Sequence, residues 1–156
     1  MLLVKKMLCI SLARTGSRSR VEGQFNNRAY YLIDEALTWT EARDRCSQDN
    51  NGFLAVAKNV QEFKFLRVMY DMYRSRGGDA NGAWLDGTYT NDNNTDKWIC
   101  DSNGAGSDCP SKMPWTNGEP NNVDVERCIL VWFTRADGVA NYVCDEKLPA
   151  ICGTYR

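Results

Sequence analysis

The chain reads as a single α+β domain, and three observations carry that reading. Two amphipathic helical patterns fall between Thr38 and Gly78, each opened by a capping signal, and the apolar runs after Gly78 are short and strand-like. Helices first and strands second is the order of an α+β fold rather than of alternating βα units. The chain has 156 residues, 43% of them hydrophobic. A chain of this size buries roughly 68–70% of the surface its unfolded form exposes, enough for one full core.

Each element has a local reason. Tyr30 to Ile33 is an aromatic and β-branched run suited to a strand. Thr38 with Glu41 three residues on makes a capping box, which opens a helix carrying Ala42 and Cys46 on one face. Asn59 with Glu62 opens a longer helix through Val60, Phe63, Leu66, Met69 or Tyr70, and Tyr73, ending before Gly77-Gly78. Strand-like runs follow at 83–85, 97–100, 128–133 and 140–144, separated by stretches rich in Asn, Asp, Gly and Ser. Between residues 101 and 122 no regular element is legible. A loop of that length inside one domain is usually functional, and this one contains Trp115 and ends in Gly118-Glu119-Pro120-Asn121-Asn122, a dense set of oxygen donors.

Composition excludes several kinds of chemistry. There is no histidine, which removes Ser-His and Cys-His nucleophile pairs, His-ligated zinc and a histidine pH switch. No apolar run reaches the ~20 residues of a membrane-spanning helix. The net charge of -1 hides an asymmetry: Lys5, Lys6, Arg14, Arg18 and Arg20 precede the first acid, so the body from Val21 onward is acidic. Nucleic acid is a poor partner for such a surface, whereas a cation suits it.

Residues 1–20 admit two readings, a secretory signal or a disordered basic tail. Lys5-Lys6 precedes a short apolar stretch whose end, Ser11-Leu12-Ala13, has the small-x-small pattern of a cleavage site. Cleavage there removes Cys9 and leaves six cysteines: Cys46, Cys100, Cys109, Cys128, Cys144 and Cys152. With no Cys-x-x-Cys pair and no histidine, disulfides are the reading, in any of 15 pairings. Disulfides place the protein in an oxidising, extracellular setting, to which Asn93-Asn94-Thr95 adds one glycosylation acceptor.

Several short motifs occur in one order: Thr38-Trp39-Thr40-Glu41-Ala42 leading to Cys46; Ala83-Trp84-Leu85-Asp86-Gly87; Trp115-Thr116-Asn117-Gly118-Glu119-Pro120-Asn121-Asn122; Glu126 two residues before Cys128; and Leu148-Pro149-Ala150-Ile151-Cys152 after Cys144. In that order the stretch from about Tyr30 to Cys152 resembles a C-type lectin-like domain. The resemblance implies a domain over residues 24–156, with two helices packed on small antiparallel sheets and a long ligand-binding loop. It further implies Cys46–Cys152 and Cys128–Cys144 disulfides, with Cys100–Cys109 as an extra bridge. By the same resemblance Glu119, Asn121, Glu126 and Asn141 bind both Ca2+ and carbohydrate, and Glu-Pro-Asn indicates mannose, fucose or N-acetylglucosamine.

The chemistry of such a site can be stated from the residues. Calcium takes ~6–8 oxygen ligands, supplied by carboxylates, amide carbonyls and waters. Each of two vicinal sugar hydroxyls can coordinate the ion, accept a hydrogen bond from an Asn amide and donate one to a carboxylate, so acid and amide come in pairs. Glu119 and Asn121 form the first pair, and a cis bond at Glu119-Pro120 would aim both at one ion. The second pair departs from the family pattern. Where the family has Trp-Asn-Asp, this chain has Val139-Ala140-Asn141, so the Asn is lost, the Asp has become an amide, and the site carries one negative charge fewer.

The remaining features have plainer readings. Trp84, Trp98 and Trp132 sit in apolar runs and are expected in the core. Asp92, Asn94 and Asp96 have the spacing that opens an EF-hand, but Lys97 stands in place of its glycine and Asn103 in place of its closing glutamate, leaving a solvated turn. Asp101 and Asp108 read as a polar loop tip. Glu119 and Glu126 as a glycosidase acid and base lack any burial signal. The sequence therefore predicts a secreted, non-enzymatic glycan-binding domain that uses calcium. The alternative is a calcium-independent domain of the same fold that binds a protein or mineral surface. No coiled-coil heptad precedes the domain, so no oligomerising stalk is read.

Overall fold

Both helices start where the sequence places their caps. The computed structural model describes residues 10–13, 20–100 and 106–154. Helix α1 spans Trp39–Ser47; Thr38 Oγ1 accepts from the Glu41 N–H and the Glu41 carboxylate accepts from the Thr38 N–H at 2.8 Å, a complete reciprocal box. Helix α2 spans Val60–Ser75, and Asn59 caps it by accepting from the Glu62 N–H. The second box stays half-formed. The Glu62 carboxylate instead accepts from the Lys58 N–H and from the buried Tyr30 hydroxyl, both at 3.2 Å. Burial, and then the Glu62 charge, push the Tyr30 phenol up to about 12. At its far end α2 stops on Gly77, φ +90, with the Gly77 N–H on Arg74 O and the Gly78 N–H on Tyr73 O. Only glycine takes that left-handed conformation at no steric cost.

The strands are β1 (Ile10–Ala13), β2 (Arg20–Phe25), β3 (Arg28–Leu37), β4 (Gly52–Leu54), β5 (Gly82–Asp92), β6 (Thr95–Ile99), β7 (Cys128–Trp132), β8 (Arg135–Tyr142) and β9 (Leu148–Thr154). They form one connected sheet in the order β1-β2-β3-β9-β5-β7-β8, with β4 on β9 and β6 on β5. Among the described strands, every ladder is antiparallel except β5 with β9, where Trp84 lies opposite Ala150. The small antiparallel sheets expected from the resemblance are thus joined into one mixed sheet, because β9 inserts between β3 and β5. β9 contains Pro149, which cannot donate to a ladder; it sits where the β3–β9 register slips between Ile33 and Leu37.

Two of the hairpin turns are asparagine pairs. Asn26-Asn27 and Asn93-Asn94 all have positive φ and join β2 to β3 and β5 to β6 through two-residue loops, as the mirror-image hairpin turns require. Asn93, the first residue of the Asn-Asn-Thr sequon, therefore stands exposed at a hairpin tip. The triplet Ser11-Leu12-Ala13 lies in β1, paired with β2. β2 starts at Arg20 and buries Val21, so the sheet begins ahead of residue 24. The remainder of the N-terminal segment, including Cys9, and residues 101–105, including Asp101 and Asn103, lie outside the described residues.

The sheet is covered on both faces, which explains why its central strands read as unbroken apolar runs. Ala83, Leu85, Ile129, Val131 and Ile151 face one core with Phe63, Leu66, Met69 and Tyr70 of α2. Their neighbours Trp84, Cys128, Leu130, Ala150 and Cys152 face the other with Trp39, Ala42 and Cys46 of α1. Leu66 and Trp84 are fully buried, and truncating such a leucine to alanine costs about 2–5 kcal/mol. Trp84 also donates to Leu37 O at 2.8 Å and Trp39 to Leu85 O at 2.9 Å, so neither indole N–H is wasted. Trp98 and Trp132, expected in the core, are only half-buried; they pack against Tyr89 and Trp115, and against Tyr142. The cysteines pair as Cys46–Cys152, Cys100–Cys109 and Cys128–Cys144.

Candidate functional site

The loop that carries the acid–amide motif is anchored before its first functional residue. Trp115 and Val139 form a parallel bridge: the Thr116 N–H donates to Val139 O and the Val139 N–H to Pro114 O, both at 2.9 Å. Thr116 Oγ1 donates to Asp137 Oδ1 at 2.5 Å, and that bond, ahead of Asp137's own backbone N–H, holds the Asp137 carboxyl below its ordinary value. Gly138 lets the two backbones approach. A Cβ there would lie 2.4 Å from Thr116 N and 2.5 Å from both Pro114 O and Trp115 C. Asp137 and Gly138 give no such signal in the sequence, since Asp137-Gly138 has the look of a turn dipeptide although it lies inside β8.

From this stem the chain turns at Gly118, with the Glu119 N–H on Thr116 O at 3.0 Å. The Glu119–Pro120 peptide is cis. Asn121 Nδ2 donates to Glu119 Oε1 at 2.8 Å, so the acid and amide read as a pair are in contact. The other Glu119 oxygen, Oε2, is buried and has no hydrogen-bond partner. Next, Asn122 adopts φ 47 and its carbonyl accepts from the N–H groups of Val125 and Glu126. That turn feeds Cys128 and β7, and Cys128 is bridged to Cys144.

Asn141 comes in from β8 beneath this loop and is 3% exposed. Its Nδ2 donates to Asn121 O at 2.5 Å and to Glu126 O at 2.6 Å, and its Oδ1 accepts from the Asn121 N–H at 3.1 Å. Of the four residues nominated from the sequence, Glu119 and Asn121 meet through side chains, whereas Asn141 reaches Asn121 and Glu126 only through their backbone. Ala140 is buried and lies opposite Leu130 in the second core, and its methyl side chain carries no oxygen.

Calcium is a fair test of this donor set. A buried carboxylate oxygen without a donor is costly unless a proton or cation meets it, and Glu119 Oε2 is such an atom, with the Asn121 amide beside it. Those two residues fit a hard cation. Among the described residues, however, no group of three or more Asp, Glu, Cys or His is gathered together, so amide and water oxygens would have to supply most of the coordination. No helix of the described residues is long and apolar enough to cross a membrane.

Comparison with known proteins agrees with this architecture. Rat lithostathine is 28% identical over 131 residues, covering 82% of this chain and 73% of that protein. The solved structure of human lithostathine superposes with a TM-score of 0.70 at 21% identity, covering 86% of this chain and 88% of that one. The cow CD23 carbohydrate-recognition domain, solved in the presence of a GlcNAc2Man3 oligosaccharide, gives 0.64 at 18% identity and covers 95% of this chain and 98% of that one. The family model of the lectin C-type domain matches residues 35–154. With its paired helices, mixed sheet, three disulfides and long anchored loop, the chain belongs to the lectin C-type domain family.

Proposed function

We propose that this domain binds glycans without catalysis, through a calcium ion held by Glu119 and Asn121 and assisted by the Glu126 carboxylate. The observation that carries the reading is the buried, unpartnered Glu119 Oε2 next to the Asn121 amide. A sugar with vicinal equatorial hydroxyls, of the mannose or N-acetylglucosamine type, would complete the coordination and satisfy the acid–amide pair. The three disulfides support a secreted, extracellular protein. For residues 1–20 the two readings are a cleaved secretory leader and a disordered basic tail, and N-terminal sequencing of the mature chain separates them.

The test is retention on mannose or N-acetylglucosamine resin in millimolar calcium. Retention lost on chelation and in Glu119→Gln supports the reading; passage of the calcium-loaded protein unretained overturns it. A second reading, a calcium-independent domain that binds a protein or mineral surface, is favoured by the Asn141 amide being spent on backbone groups. A melting temperature indifferent to calcium favours this second reading, because a bound ion stabilises the native state by RT ln(1 + [L]/Kd).

A further inference from the structure

The geometry points to Asn141 as a positioning residue that holds the Glu119–Glu126 loop in its binding-ready shape without any cation. Two backbone carbonyls, Asn121 O and Glu126 O, converge on one point from opposite ends of the loop, 2.5 and 2.6 Å from Asn141 Nδ2. Converging carbonyl oxygens need a positive centre between them, and an amide NH2 supplies one as two protons. The Asn121 N–H returns the third bond to Oδ1. The orientation of the amide follows from its partners: turned over, Oδ1 would face two carbonyls and Nδ2 would face an N–H. The post itself is rigid. Asn141 lies in β8 opposite Ile129, one residue from Tyr142, which pairs with the disulfide-bonded Cys128, and it is almost wholly buried.

One atom decides this behaviour. A carboxylate at position 141 would keep the shape and the acceptor but set an anionic oxygen against both carbonyls. Such a loop could close only around a proton or a metal ion. With the amide in place the loop is closed by hydrogen bonds alone, so its ligand meets a preformed surface and calcium is not needed to build it. The inference stands whether or not calcium binds at Glu119.

The test is hydrogen exchange, read residue by residue on the full chain, in chelator and then in calcium. The wild-type Asn121 amide is expected to be protected in chelator and little changed by calcium. Asn141→Asp is expected to lose about a hundredfold of that protection in chelator, the loss of two donated bonds and the gain of repulsion, and to recover it when calcium is added. A residue with a merely structural role would show no such rescue. The Thr116 and Val139 amides serve as an internal reference for the stem. Wild-type Asn121 exchanging at a free-loop rate in chelator would overturn the inference, as would unchanged protection in Asn141→Asp; the first needs no variant to fold. Failure on the sugar resin leaves the chelator arm untouched, so the two readings fail separately.

Discussion

Gly138→Ala tests how the site is mounted on the sheet. Gly138 is absent from the positive-φ glycines, so backbone strain is not at issue and only space counts. The added methyl would stand 2.4 Å from Thr116 N, 2.5 Å from Pro114 O and 2.5 Å from Trp115 C, where 3.4–4 Å is ordinary contact. Three backbone atoms must therefore retreat by about an ångström, and they cannot swing away as a side-chain tip can. Overpacking of this kind costs about 1–3 kcal/mol. The retreating atoms include the donor and acceptor of the two stem bonds, Thr116 N–H to Val139 O and Val139 N–H to Pro114 O, which adds about 1 kcal/mol for each bond lost. Replacing glycine returns about 0.4–1 kcal/mol through the unfolded chain. The balance is a loss of about 2–5 kcal/mol. Urea denaturation measures the global part, and hydrogen exchange at Thr116 and Val139 measures any local peeling of the loop. A variant with wild-type stability and both amides still protected would refute the reasoning.

Three other outcomes are expected. Replacing Cys46 and Cys152 by serine opens a closure of sequence separation 106 and should cost about 4.8 kcal/mol in urea denaturation. Replacing Cys100 and Cys109, separation 9, should cost only about 2.7 kcal/mol on the same chain-entropy argument, so a reversed order would count against it. Glu41 is held below its ordinary value of 4.5 first by the Lys147 ammonium and then by the Thr38 N–H. Its contribution is thus fully present above 4.5 and is lost as pH falls through the lower folded value, so the stability gap between wild type and Glu41→Gln should close in acid. For Tyr30 the sign is opposite. Its pKa is raised from 10.0 to about 12, so its stabilisation is intact below 10.0 and fades as pH rises toward 12, while tyrosinate absorbance of the folded protein lags that of Tyr30→Phe plus free tyrosine.

Much of the scaffold was legible because local chemistry and tertiary structure agree there. Thr38 and Asn59 cap the helices they were expected to open, and the strand expected at Tyr30 to Ile33 lies inside β3. Agreement of this kind is what a minimally frustrated sequence shows. β9 carries no strand signal of its own, because Pro149 within a short run argues against a strand and the bulge that accommodates it is a tertiary fact. β8 was expected to begin at Ala140 but starts at Arg135, since the polar Arg135-Ala136-Asp137-Gly138 gives no apolar signal. Within the site, Glu119 and Asn121 meet as their spacing suggested. The direction of the Asn141 amide was beyond reach of the sequence. Spacing can nominate an oxygen donor, but only coordinates show that its nitrogen is turned to two carbonyls.

The place of β9 at the middle of the sheet bears on biosynthesis. Leu148–Thr154 pairs with β3, β4 and β5 at once, so the strands on either side wait for a segment made more than a hundred residues after Tyr30. A ribosome releasing this chain exposes Phe63, Leu66, Ile129 and Leu130 before the strand that closes both cores has emerged. Deleting only Leu148–Thr154 would leave β3, β4 and β5 without their shared partner, so it would abolish the fold rather than trim it.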